Sequence, residues 1–131
     1  MLISKELSFF RISGEFLIEG THDAEIVDKL KPEEGETVIT KKRWSSFFQT
    51  ELNLIMRRQC IDTLVIGGVQ TPNCMRATFT DAISLDYDVI VLEDDTASNS
   101  KDVQKANLID MQNMGRRNLK VNKVMEILNN V

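Results

Sequence analysis

The stretch Leu64-Val-Ile-Gly-Gly-Val-Gln-Thr-Pro-Asn-Cys74-Met-Arg-Ala-Thr78 passes from a β-branched apolar run through a glycine-rich turn into a helical pattern. A strand that hands over to a helix in this way is the unit of an open α/β sheet, and such folds place ligands at the carboxyl ends of their strands. Cys74 falls in the first turn of the expected helix. There the positive end of the helix dipole favours thiolate over thiol and lowers the pKa from about 8.5. A thiol so placed is a candidate nucleophile. Amides around Val69, Gln70 and Asn73 are candidate donors to the oxyanion formed when a thiolate attacks a carbonyl. Gly67 and Gly68 let the backbone approach a ligand closely. Burial statistics alone would make Cys74 a small packed apolar residue, so both readings stand at this point.

The same alternation continues outward. Apolar runs at Thr37-Val-Ile-Thr40, Thr63-Leu-Val-Ile66, Val89-Ile-Val-Leu92 and a weaker Leu119-Lys-Val121 predict four parallel strands covered on both faces. Between them, Ser45 to Gln59 sets Phe48, Leu52, Ile55 and Met56 on one helical face, and Met75 to Leu85 does so with Met75, Phe79, Ala82 and Ile83. Val103, Ala106, Leu108, Ile109 and Met114 predict a third helix. This βαβ rhythm makes the fold class α/β with a mostly parallel sheet.

The N-terminal part reads differently. Phe9-Phe-Arg-Ile12 and Glu15-Phe-Leu-Ile18 flank Ser13-Gly14, which predicts a hairpin or extended apolar arm over residues 1–19 ahead of a core at 20–131. Thr21 to Leu30 predicts a short helix stopped by Lys31-Pro32. The whole is read as a single domain.

Composition narrows the partners. The 131 residues carry a net charge of -4, with Lys and Arg scattered among Asp and Glu, which argues against nucleic acid. No run approaches the length of a membrane span, and the start lacks a signal-peptide pattern, so a cytoplasmic protein without membrane contact is expected. Cys60 and Cys74 lack CxxC spacing, which points to two free thiols. The single histidine, His22, reads as a surface or capping residue, and no metal or other cofactor is expected. Gly67-Gly68 does not match G-x-G-x-x-G, which weakens a nucleotide-binding reading.

Gly67-Gly-Val-Gln-Thr-Pro-Asn-Cys74, Ala77-Thr78, Asp81-Ala82, Asp88-Val-Ile-Val-Leu92 and Asp94-Asp-Thr-Ala-Ser98 together resemble the signature of isochorismatase-like cysteine hydrolases. Gly20-Thr21, Ala24-Glu-Ile26 and Val38-Ile-Thr-Lys41-Lys-Arg-Trp-Ser-Ser-Phe47 extend the resemblance over residues 20–121. It implies a three-layer, doubly wound, Rossmann-like sheet, a catalytic lysine at Lys41 rather than Lys42, and a cis peptide bond after Val69. By the residues alone, the Lys41-Lys-Arg43 run is more simply a solvated surface. An ammonium beside the thiol would favour the thiolate. Trp44 and Phe47, with Phe48, are candidates to line an apolar pocket for a small planar substrate, or else helix-packing residues.

The resemblance also implies an aspartate, the general base, at the end of a first strand at the centre of the sheet. No such segment precedes Lys41, so the chain reads as N-terminally truncated relative to the family. Leu108-Ile-Asp-Met-Gln-Asn113 reproduces the family's letters inside a helical pattern, where Asp110 is expected as a solvated carboxylate. The expected function is hydrolysis of a C–N bond in a small molecule by a homo-oligomeric enzyme. The alternative is a catalytically impaired domain serving oligomerisation or binding.

Overall fold

The computed structural model describes residues 2–6, 18, 20–115 and 117–130. Its elements in order are β1 (Leu2–Glu6), β2 (Thr37–Lys41), α1 (Leu52–Arg58), β3 (Thr63–Val69), α2 (Arg76–Ser84), β4 (Asp88–Ala97), α3 (Lys101–Asn113), β5 (Arg117–Leu119) and α4 (Val121–Asn129). The apolar runs do form parallel strands, but in two sheets. β1 pairs with β2, and β3, β4 and β5 form a second sheet in that order.

The two sheets share a core. Ile39 of β2, Val89 and Val91 of β4, Leu52 and Met56 of α1, and Met75, Phe79 and Ala82 of α2 form one buried cluster, with Leu64 and Ile66 of β3 packed against it. Even-numbered apolar residues of β3 thus face these helices, as the period of two along a strand requires. Tyr87 closes the cluster, its hydroxyl donating to Asn53 Oδ1 at 2.9 Å.

Several boundaries differ from the sequence reading. Within the hairpin or extended arm expected over residues 1–19, residues 2–6 form a strand parallel to β2; Phe9–Ile12 and Glu15–Leu17, on which that reading chiefly rested, lie outside the described residues. Thr21–Leu30 forms two 3-10 turns, His22–Ala24 and Asp28–Leu30, instead of a helix. Helix α1 begins at Leu52 and not near Ser45, because residues 45–51 are held in turns by side-chain bonds: the Thr50 hydroxyl donates to the Ser46 carbonyl and accepts from Leu52 N. Val121 starts α4 rather than ending a strand; its amide donates to Asp94 Oδ1 at 2.9 Å.

Helix ends explain one of the two cysteines. Cys60 has φ +54 and follows the α1 C-cap; its amide bonds Arg57 O and that of Ile61 bonds Met56 O, the paired pattern of a Schellman closure. Asp86, φ +63, closes α2 the same way through Ile83 O and Ala82 O. Left-handed backbone disfavours a side chain by about 1–2 kcal/mol, and glycine escapes most of that. Cys60→Gly is therefore expected to stabilise the protein by about 1 kcal/mol, read as a rise of a few degrees in thermal unfolding.

Candidate functional site

The turn after β3 is built from inside. A Cβ at Gly67 would run into the Asp95 carboxylate, so any larger residue there would have to displace that side chain. Gly68 takes φ +119, a conformation side chains rarely adopt. The Val69–Gln70 peptide bond is cis. A single π turn, Thr71–Met75, then leads into α2, with Pro72 in its first positions; such turns are frequent at functional sites.

Hydrogen bonds fix this turn on both sides. Within it, the amides of Asn73 and Met75 donate to Gln70 O at 3.1 and 3.4 Å, and Asn73 Nδ2 donates to Gln70 Oε1 at 3.3 Å. Asn73 is therefore placed as a turn residue, its amide already bonded to Gln70. Outside it, the fully buried Thr71 donates from Oγ1 to Ala97 O, the last residue of β4, at 3.1 Å.

Cys74 sits half-buried in the π turn, two residues ahead of α2. Lys41, the last residue of β2, is 2% exposed. Its Nζ donates to Arg43 O and Trp44 O, both at 3.1 Å. A buried ammonium is tolerated only with such acceptors. Lys42 and Arg43 are exposed, so the solvated-surface reading holds for them and fails for Lys41.

The loop that receives the Lys41 ammonium also grips the thiol helix. Ser46 N donates to Thr78 Oγ1 at 3.0 Å, and the Thr78 and Ser46 hydroxyls lie 3.4 Å apart. Thr78 follows Cys74 by four residues, one helical turn along the same face. Two segments far apart in sequence, 41–46 and 74–78, thus meet along one seam.

Other candidates fall in different places. Trp44 is 45% exposed beside Lys41. Phe47 stacks on Tyr87 with ring centroids 5.7 Å apart and packs against the core. Asp110 is exposed on α3, as expected of a solvated carboxylate, and accepts from Arg76, which also donates at 3.1 Å to Asn107 Oδ1 and so ties the start of α2 to α3. His22 is on the surface against Glu25. Among the described residues no three His, Cys, Asp or Glu side chains group to hold a metal ion. An open groove of about 580 Å³ between α3 and the end of β4 includes none of Lys41, Trp44, Phe47 or Cys74.

Ser46 and Thr78 hold the seam, Thr71 ties the turn to β4 and Arg76 ties α2 to α3; the sequence reading quoted these residues within its motifs and gave them no role. Thr78 was legible in principle, since a polar residue four after a candidate nucleophile shares its face. The partner of Thr71, 26 residues away, was not.

Comparison with known proteins places the chain in a family and a fold. A family model described as the isochorismatase domain matches residues 5–122. A probable inactive nicotinamidase of Arabidopsis thaliana is 46% identical over 101 residues, 76% of this chain and 52% of its own. The ureidoacrylate amidohydrolase RutB of Klebsiella pneumoniae is 42% identical over 85 residues, 65% of this chain and 36% of its own. The chain thus spans about half or less of these curated relatives. The crystal structure of an isochorismatase family protein from Desulfovibrio vulgaris superposes with a TM-score of 0.84 at 40% identity, covering 90% of this chain and 62% of that one.

Removing a buried donor strands its acceptor, at a cost of about 1–3 kcal/mol. Thr71→Val, which keeps the shape, is expected to lower stability by that amount in denaturant titration, and Thr71→Ser by clearly less.

Proposed function

The chain belongs to the isochorismatase family, and from that we propose that it is a cysteine hydrolase of the amidase type acting on a small molecule. The Cys74 thiolate attacks a carbonyl or carbamoyl carbon, forming a C–S bond while the carbonyl oxygen becomes an oxyanion. Amides of the Val69 to Cys74 turn, other than that of Asn73, which is bonded to Gln70 O, and excepting Pro72, which has no N–H, stabilise this oxygen. The C–N bond then breaks, and the amine leaves with the proton first held by the thiol. Water adds to the resulting thioester, releasing acid and regenerating the thiol.

The burial of Lys41 carries this reading. An ammonium withdrawn from water at the end of β2, held by the loop that grips the Cys74 helix, has no simple solvation role. We assign it to stabilising the thiolate and the developing charge; Trp44 would border the substrate. RutB, by its name an amidohydrolase, supports C–N chemistry among relatives. We further propose that the enzyme works as a cytoplasmic homo-oligomer; no helix among the described residues is long and apolar enough to cross a membrane.

A second reading, a binding or oligomerisation module without turnover, is favoured by the name of the Arabidopsis relative, a probable inactive nicotinamidase. The two separate by thiol chemistry. Under the enzyme reading, iodoacetamide labels Cys74 at least about tenfold faster than Cys60 at pH 6, and Lys41→Met reduces that advantage. Equal, slow labelling of both thiols supports the module. The sign follows from the lowered thiol pKa: a thiolate that persists to lower pH keeps reacting there.

A further inference from the structure

Two residues that line the groove between α3 and the end of β4 carry buried amide oxygens with no hydrogen-bond donor: Gln104 Oε1 and Asn118 Oδ1. The other half of each amide fixes its orientation. Gln104 Nε2 donates to Thr96 O at 3.2 Å and to Thr96 Oγ1 at 2.9 Å, and Asn118 Nδ2 donates to Leu108 O at 2.7 Å. A carbonyl only accepts, so neither amide can turn over without setting oxygen against oxygen. Each oxygen is an acceptor held in place, and a buried acceptor without a donor is costly.

The rest of the groove carries charge. Lys101 and Lys105 lie one turn apart at the start of α3, on the face that also holds Gln104 and Leu108. Neither lysine takes part in the ion pairs of the described residues. Among the described residues Glu93 is the one carboxylate lining the groove, against these two ammonium groups. The positive end of the α3 dipole adds to them. In a chain of net charge -4 this is a locally positive, concave surface. Its volume of about 580 Å³ falls within the range of about 300–1,000 Å³ usual for small-molecule sites.

We propose that this groove binds a phosphate monoester of a small polyol, a sugar phosphate. The phosphate sits between Lys101 and Lys105; a monoester carries about -1.5 to -2 at pH 7 and matches two ammonium groups better than a singly charged carboxylate does. Hydroxyls at the other end of the ligand donate to Gln104 Oε1, Asn118 Oδ1 and the Glu93 carboxylate, all of which only accept. Leu108 meets the carbon skeleton. Because the two amide oxygens are enclosed, α3 draws away from β5 slightly on binding, and the donors gained there favour that movement. Ala97, whose carbonyl accepts the Thr71 hydroxyl, lines the same groove, so the ligand borders the segment that holds the thiol turn. The inference needs neither Cys74 nor Lys41 and stands apart from the catalytic reading.

Titration calorimetry of the 131-residue protein with ribose 5-phosphate tests it. The expected result is one-to-one binding with a Kd below about 1 mM. Lys101→Gln and Lys105→Gln, both at exposed positions and with unchanged circular dichroism, each weaken it at least about tenfold, whereas Lys29→Gln on an exposed turn before β2 does not. Propyl phosphate keeps the anion without the hydroxyls, and ribose keeps the hydroxyls without the anion; each binds at least about tenfold more weakly than ribose 5-phosphate. No saturation up to about 10 mM overturns the proposal. Binding that both lysine variants leave unchanged overturns it too. Equal affinity for propyl phosphate makes the groove a patch for any anion, and equal affinity for ribose removes the role of the lysines; either result is equally fatal to it.

Discussion

Everything that positions the thiol depends on the fully buried hydroxyl of Thr71 and its bond to the carbonyl of Ala97. That contact locks the turn after β3 to the end of β4. It sets where the π turn begins and so where Cys74 emerges. The bond between Ser46 N and Thr78 Oγ1 then holds the loop after β2 against the same helix, and carbonyls of that loop accept from Lys41. A site assembled from two strand ends and one helix start owes its precision to these neutral hydrogen bonds. The ion pair of Arg76 with Asp110 at the start of α2 is half-exposed, and such pairs contribute little by themselves.

The elements that were legible in the sequence are those whose side-chain period matches a buried face. α2 and α3 were read nearly as they stand and β3 and β4 were placed but read short, at Ile66 and Leu92 where they run on to Val69 and Ala97, because apolar runs and i, i+3, i+4 spacing report burial and the strand ends are polar or exposed. The misreadings have local causes. The helical spacing from Ser45 to Glu51 is genuine, but a tertiary bond from Ser46 to Thr78 and local bonds of the Thr50 hydroxyl hold that segment in turns. Val121 fits a strand by its neighbours Leu119 and Lys120, yet Val121, Val124, Met125 and Leu128 also fit a helix, which is what forms.

The site was legible only in part, for a related reason. Cys74 was visible because a strand, a glycine turn and a helix are consecutive in sequence. Lys41 looked like one cation of a solvated run, and only its burial separates it from Lys42 and Arg43. Gly67 was read as clearance for a ligand and proves to be clearance for Asp95. The interruption between the two sheets was legible only through the family resemblance, which expects a first strand at the centre of the sheet; apolar runs alone say that a strand is covered without saying which strand lies beside it.

The central claim is that Cys74 is a nucleophile rather than a second packed thiol. Brief exposure to an activated carboxylic ester, acid quench and peptide mapping by mass spectrometry test it most directly. The account predicts an acyl group on Cys74, formed well ahead of any on Cys60 and diminished in Lys41→Met. Acylation confined to Cys60 or to surface lysines, with Cys74 unmodified, would contradict it.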